Sequence, residues 1–145
     1  AASDVYKRQL LEITTDNVHL DEQYMIGGMK TEAGTDRVIP IADKILPLIK
    51  NRYDANRRFL VNNKYGNHYT YGSYVSANFN TVMNKLNMKH LPHDGRHTFA
   101  SLMDDAGANE VCIKLIMGHS MKNNVTKGVY THKTTQQLID EVNKI

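Results

Sequence analysis

Apolar positions along this chain follow two rhythms. Near the N-terminus they fall in short runs between polar turn residues, which predicts strands over 17–20, 23–30 and 37–41. The last two runs are separated by Thr31-Glu32-Ala33-Gly34-Thr35-Asp36, a polar stretch that predicts a hairpin. Leu10 to Thr14 reads as the end of a helix. A helix is predicted over 42–56, with Pro47 near its start or kinking it. Phe59 to Asn62 reads as a short strand, followed by a polar stretch containing Gly66. From residue 72 onward the spacing becomes helical: Tyr74, Ala77, Val82 and Leu86 predict a helix over 72–87. After Pro92, Phe99, Leu102, Met103 and Ala106 form one apolar stripe, and Gly107 stops the helix. Asn109 is placed to cap the next helix, which ends at Gly118. A last helix opens with a capping box from Thr134 to Gln137 and carries Leu138, Val142 and Ile145 on one face. The predicted fold class is α+β, mostly helical, with a small antiparallel sheet toward the N-terminus.

Composition narrows the picture only a little. A chain of 145 residues with 41% hydrophobic and 23% charged residues fits one soluble globular domain. No apolar run reaches the roughly 18 residues of a membrane helix, and no signal peptide is seen, so the expected location is the cytoplasm. One cysteine, Cys112, excludes an internal disulfide and reads as a small buried hydrophobe. The net charge of +3 is compatible with a nucleic-acid partner without establishing one. Residues 1–9 show neither periodicity and are left unassigned, a cloning remnant being one reading of them; 10–145 are expected to form the domain.

Candidate chemistry lies in the second half. Leu91-Pro92-His93-Asp94-Gly95-Arg96 sets His93 and Arg96 three apart, on one face of a helix. Gly118-His119-Ser120 follows, then Gly128-Val129-Tyr130-Thr131-His132. In order these give an imidazole, a guanidinium, a second imidazole and a phenol. A phenol with its ordinary pKa of about 10 is a weak nucleophile until a base or a cation assists it. A guanidinium grips phosphate oxygens with a planar fork, and an imidazole orients or moves a proton near working pH. Lys30, at the end of a predicted hairpin strand, adds an ammonium able to protonate a leaving oxygen.

On these residues the chain resembles the catalytic domain of the tyrosine recombinases, the phage-integrase family, from about Leu10 to the C-terminus. The resemblance implies that the H-x-x-R motif falls on His93 and Arg96, and the G-H motif on His119. It places the nucleophile on Tyr130, 11 residues later, and the lysine of the K-T-x-x-G pattern on Lys30. The implied activity is site-specific recombination through a 3′-phosphotyrosyl link, with neither metal nor nucleotide cofactor. The implied partners are double-stranded DNA and further copies of the chain in a tetramer. The family's separate DNA-binding domain is expected to be missing.

Two departures stand out. The family's first arginine, in T-G-x-R-x-x-E-L-L, falls on Tyr6 when Leu10 and Leu11 are aligned, and its glutamate falls on Gln9. Arg8 is two residues out of register and is not assigned that role. The usual H-D-L-R reads His93-Asp94-Gly95-Arg96, and Gly95 loosens a first helical turn by about 1 kcal/mol. The lost arginine keeps a second reading open: a non-catalytic DNA-binding or assembly remnant of a recombinase. A third, a metal-dependent hydrolase using His93 and His97, is disfavoured because Asp94 stands where a metalloprotease helix has glutamate.

Overall fold

The computed structural model describes residues 9–28, 36–119 and 132–145. A three-stranded antiparallel meander, β1 (Val18–His19), β2 (Tyr24–Gly27) and β3 (Arg37–Pro40), runs in the order β1-β2-β3. Met25 pairs with Val18 on one side and Ile39 on the other, and Gly27 pairs with Arg37. The predicted hairpin pairing is therefore present, while its turn, with Lys30, lies outside the described residues. Pro40 sits at the end of β3, an edge strand, where its missing N–H costs no ladder bond.

The expected helix over Leu10 to Thr14 is not formed. Residues 9–12 are turns and Thr14 makes an isolated bridge to Phe59. Leu11, Ile13 and Thr15 are all buried, Leu11 within the turn and Thr15 at the start of a 3-10 turn over Thr15–Asn17. The Leu60 amide donates to the Ile13 carbonyl at 2.9 Å and the Thr15 amide to the Arg58 carbonyl at 3.0 Å. Pairing with the 58–60 segment thus overrides the local helix signal. The strand expected at Phe59–Asn62 is reduced to isolated bridges at Phe59 and Asn62.

Helix α1 (Leu46–Arg52) is shorter than predicted. Pro47 lies in its first turn, where the amide would be unpaired anyway, so it starts the helix rather than kinking it. The stretch expected as one helix over 72–87 is three pieces: α2 (Tyr71–Tyr74), a π turn (Val75–Phe79) and α3 (Asn80–Lys85). The π turn, with the Asn80 amide reaching back to the Val75 carbonyl, rotates the following residues relative to an uninterrupted α-helix.

Helices α4 (Asp94–Asp105), α5 (Glu110–Met117) and α6 (Thr135–Val142) build the main core. Met103, Cys112, Ile116, Leu138, Val142 and Ala42 form one buried cluster. Ile13, Val18, Met25, Ile41 and Leu60 form a second beneath the sheet. The α4 stripe is narrower than predicted: Met103 is buried and Phe99 packs on the core, but Leu102 is 48% exposed and Ala106 faces solvent. Gly107 stops α4 at φ +65°. Asn109 accepts from the Val111 and Cys112 amides, while its own amide donates to Glu141 Oε2 at 2.7 Å, tying α5 to α6. That bond and Lys144 hold the Glu141 carboxyl below its ordinary value, the Lys144 contact first. The Thr134–Gln137 capping box is present, and Leu138 and Val142 pack on the domain's own core.

Gly95 offers a stability test. It lies in the first turn of α4, and a Cβ there would meet nothing within 4 Å. Gly95→Ala is expected to raise stability by about 0.4–1 kcal/mol, since alanine loses less backbone entropy on folding. A thermal melt that shows an unchanged or lower midpoint would contradict this.

Candidate active site

The site is assembled where the start of α4 meets the end of α5. The Asp94 carboxylate accepts from the Leu91 amide at 2.8 Å. This bond, and then His90, keep the Asp94 carboxyl ionised below its ordinary range. The contact bends the chain at Pro92 so that His93 becomes the residue before the first helical turn. His93 and Arg96 both line a cavity of about 230 Å³, together with Tyr71, Tyr74, Phe79 and Leu10. The three-residue spacing thus brings the two side chains to one surface, as the sequence predicts.

Arg96 also reaches across to α5. Its Nη2 donates to the Met117 carbonyl at 2.8 Å. The next residue, Gly118, adopts φ +68°, which a residue with a Cβ rarely tolerates, and ends α5 in a Schellman turn. Its amide donates to the Leu115 carbonyl at 3.1 Å and the His119 amide to the Lys114 carbonyl at 2.9 Å. His119 therefore leaves the helix at a fixed point beside Arg96. It keeps an exposed edge, yet desolvation of the imidazole pushes its pKa below the ordinary 6.5. Repulsion from Arg96, Lys114 and Arg37 adds to that shift. The shift favours the neutral ring in the free protein.

Three of the five site residues named from the sequence, His93, Arg96 and His119, come together here. Lys30 and Tyr130 lie outside the described residues, as do Tyr6 and Arg8. His97 faces His93 edge to face, ring centroids 5.0 Å apart. Arg57 and Arg58 have partners within the fold: Arg57 pairs with Asp54 and Arg58 lies over the Phe59 ring. Sequence reasoning missed Arg37. Its Nε donates to the Ile116 carbonyl at 2.9 Å and its Nη2 to Gln9 Oε1 at 3.0 Å. The signal was faint: an arginine opening a strand, and a glutamine where a glutamate is usual.

A small antiparallel sheet beside a helical core, with a guanidinium and two imidazoles gathered at helix ends, is the catalytic-domain fold of the tyrosine recombinases. Residues 7–137 match the Phage integrase family, and the chain belongs to that family. It is 27% identical over 112 residues to a tyrosine recombinase of Thermosipho africanus (strain TCF52B), covering 76% of this chain and 39% of that protein. It is 29% identical over 144 residues to tyrosine recombinase XerA of Pyrococcus horikoshii, covering 94% and 48%. The fold is similar to an integrase from mycobacterium phage Brujita (TM-score 0.68, 16% identity, 97% of this chain and 48% of that one). It is also similar to a XerA recombinase crystal structure (TM-score 0.63, 19% identity, 92% and 50%). The chain spans under half the length of these curated relatives.

Proposed function

We propose that this chain supplies the chemical step of site-specific DNA recombination, cleaving and rejoining double-stranded DNA through a 3′-phosphotyrosyl intermediate. The observation that carries this reading is the Arg96 bridge: one guanidinium joins the His93 cavity to the carbonyl just before Gly118 and His119. In the proposed reaction the Tyr130 oxygen attacks the scissile phosphorus and the bond to the 5′-oxygen breaks. His93 orients or accepts the phenol proton, Arg96 and His119 hold the non-bridging oxygens, and Lys30 protonates the departing 5′-oxygen. A 5′-hydroxyl of the partner strand then reverses the step, so bond energy is retained and no nucleotide cofactor is required. Four copies acting on two DNA duplexes, in the cytoplasm at the nucleoid, complete the proposal. Among the described residues no helix is long and apolar enough to cross a membrane.

A second reading, a DNA-binding or assembly module without catalysis, is favoured by Tyr6 standing where the family has its first arginine. One experiment separates the two. The chain is incubated with a nicked suicide DNA carrying a 5′-bridging phosphorothioate, whose leaving group needs no acid. A denaturation-resistant adduct that maps to Tyr130 and vanishes in Tyr130→Phe supports cleavage, and a gain with Tyr6→Arg supports the missing clamp. DNA binding without adduct from any version supports the second reading.

The His119 shift adds a pH prediction. A phosphate beside the ring favours the charged imidazole, so DNA binding takes up a proton there. Affinity should rise as pH falls through the bound-state midpoint and level off below the free-state one, which lies under 6.5. Fluorescence anisotropy across pH 5 to 8, the interval in which an imidazole titrates, should show this slope in the parent and a flatter one in His119→Gln. Equal slopes would sink the assignment.

A further inference from the structure

We propose that Arg37 is a positioning residue that fixes the last turn of α5, and with it His119, to the hairpin strand β3. This inference rests on the recombinase reading above and adds a residue to it.

The last four C=O groups of an α-helix have no partner within the helix. In α5 these belong to Lys114, Leu115, Ile116 and Met117. The Schellman turn takes the first two, through the His119 and Gly118 amides. The other two are taken by guanidinium groups from different elements: Ile116 by Arg37 of β3 at 2.9 Å, and Met117 by Arg96 of α4 at 2.8 Å. Two cations thus sit at the negative end of one helix, where they are stabilised by its dipole. Consecutive carbonyls turn to different sides of a helix, so the two arginines hold the turn from two directions.

Arg37 has a second attachment. Its Nη2 donates to Gln9 Oε1 at 3.0 Å. One guanidinium therefore joins three pieces that the proposed chemistry must keep in register: the hairpin that carries Lys30, the α5 end that presents His119, and the N-terminal segment. That segment is where the family's first arginine would fall. Only arginine suits the position, because its rigid fork serves two acceptors at once, whereas a lysine ammonium is a point donor on a flexible stem. Gln9 suits it as well, because a neutral amide oxygen accepts from Arg37 without neutralising a charge that faces the phosphate site. The groups facing His119 are Arg96 from α4, Lys114 from α5 and Arg37 from β3, all cationic.

The test uses Arg37→Gln and Arg37→Lys in the full chain, with two readouts. The first is the single-turnover rate of adduct formation on the phosphorothioate suicide DNA, at saturating DNA and corrected for the folded fraction. The second is the His119 imidazole titration followed by NMR in the free protein. Arg37→Gln is expected to slow attack by ~10- to 100-fold, the scale set by small misplacements of a catalytic group, with DNA affinity nearly unchanged. Its His119 midpoint should move upward, because a facing cation is gone. Arg37→Lys should keep the midpoint near that of the parent and lose less rate. A folded Arg37→Gln with parental rate and an unmoved midpoint overturns the proposal. If Arg37→Gln does not fold, Arg37→Lys decides: parental rate overturns it. Absence of any adduct from the parent chain defeats strand cleavage but not the brace. The brace is then judged on the titration alone, where an unmoved midpoint in Arg37→Gln overturns it.

Discussion

Arg96→Ala is expected to slow covalent attack on the suicide DNA by ~10²–10³-fold, the loss found when one donor to a developing oxyanion is removed. Two effects add in the same direction. The phosphate loses the one cationic fork that the described residues place beside His93. The Met117 carbonyl loses its 2.8 Å partner, so the turn carrying Gly118 and His119 is less well held. Arg96→Lys separates these effects. An ammonium supplies charge to the phosphate, but without the planar fork it holds the phosphate and the Met117 carbonyl in a fixed relation less well. Its rate should fall between parent and alanine variant. Because the phosphorothioate leaving group needs no acid, the loss reports attack and not protonation by Lys30. Single-turnover kinetics at saturating DNA measure the effect, and an Arg96→Ala rate equal to the parent's would remove Arg96 from the chemistry.

The site was legible wherever it depends on local spacing. His93 and Arg96 share a surface because three residues make almost one helical turn, and His119 follows Gly118 because a left-handed residue must end α5. The caps at Asn109 and Thr134 were readable for the same reason. What sequence could not convey was contact between distant segments. The Arg37 bond to Ile116 spans 79 positions, and no periodicity announces it. The helix end expected over Leu10–Thr14 failed through the same blindness, since Ile13 pairs with Leu60 and both Leu11 and Ile13 are buried. The π turn at Val75–Phe79 broke an apparently regular stripe, and two aromatics on the cavity wall mark it, Tyr74 just before the turn and Phe79 at its end. Burial of Leu102 was overestimated because periodicity gives the direction of a helix face but not the width of its cover.

The second large effect concerns the core behind the site. Met103→Ala is expected to cost about 2–5 kcal/mol, the range for truncating a fully buried methionine. Met103 is 0% exposed and lies in the cluster that joins α4 to α5 and α6, with Cys112, Ile116, Leu138 and Val142. Removing it leaves a void that neighbours on three helices fill only partly. For a domain of ordinary stability, about 5–15 kcal/mol, such a loss takes a large share. Met103→Leu, which nearly conserves volume, should cost under about 1.5 kcal/mol. Urea titrations monitored by circular dichroism give both values, and a smaller loss for alanine than for leucine would contradict the packing. The consequence reaches the site because the α4 helix holding Met103 in the core also carries Arg96, while Ile116 of the same cluster belongs to the turn that Arg37 and Arg96 clasp. Met103→Ala should therefore slow covalent attack even where the variant is fully folded, and Met103→Leu should leave the rate close to that of the parent.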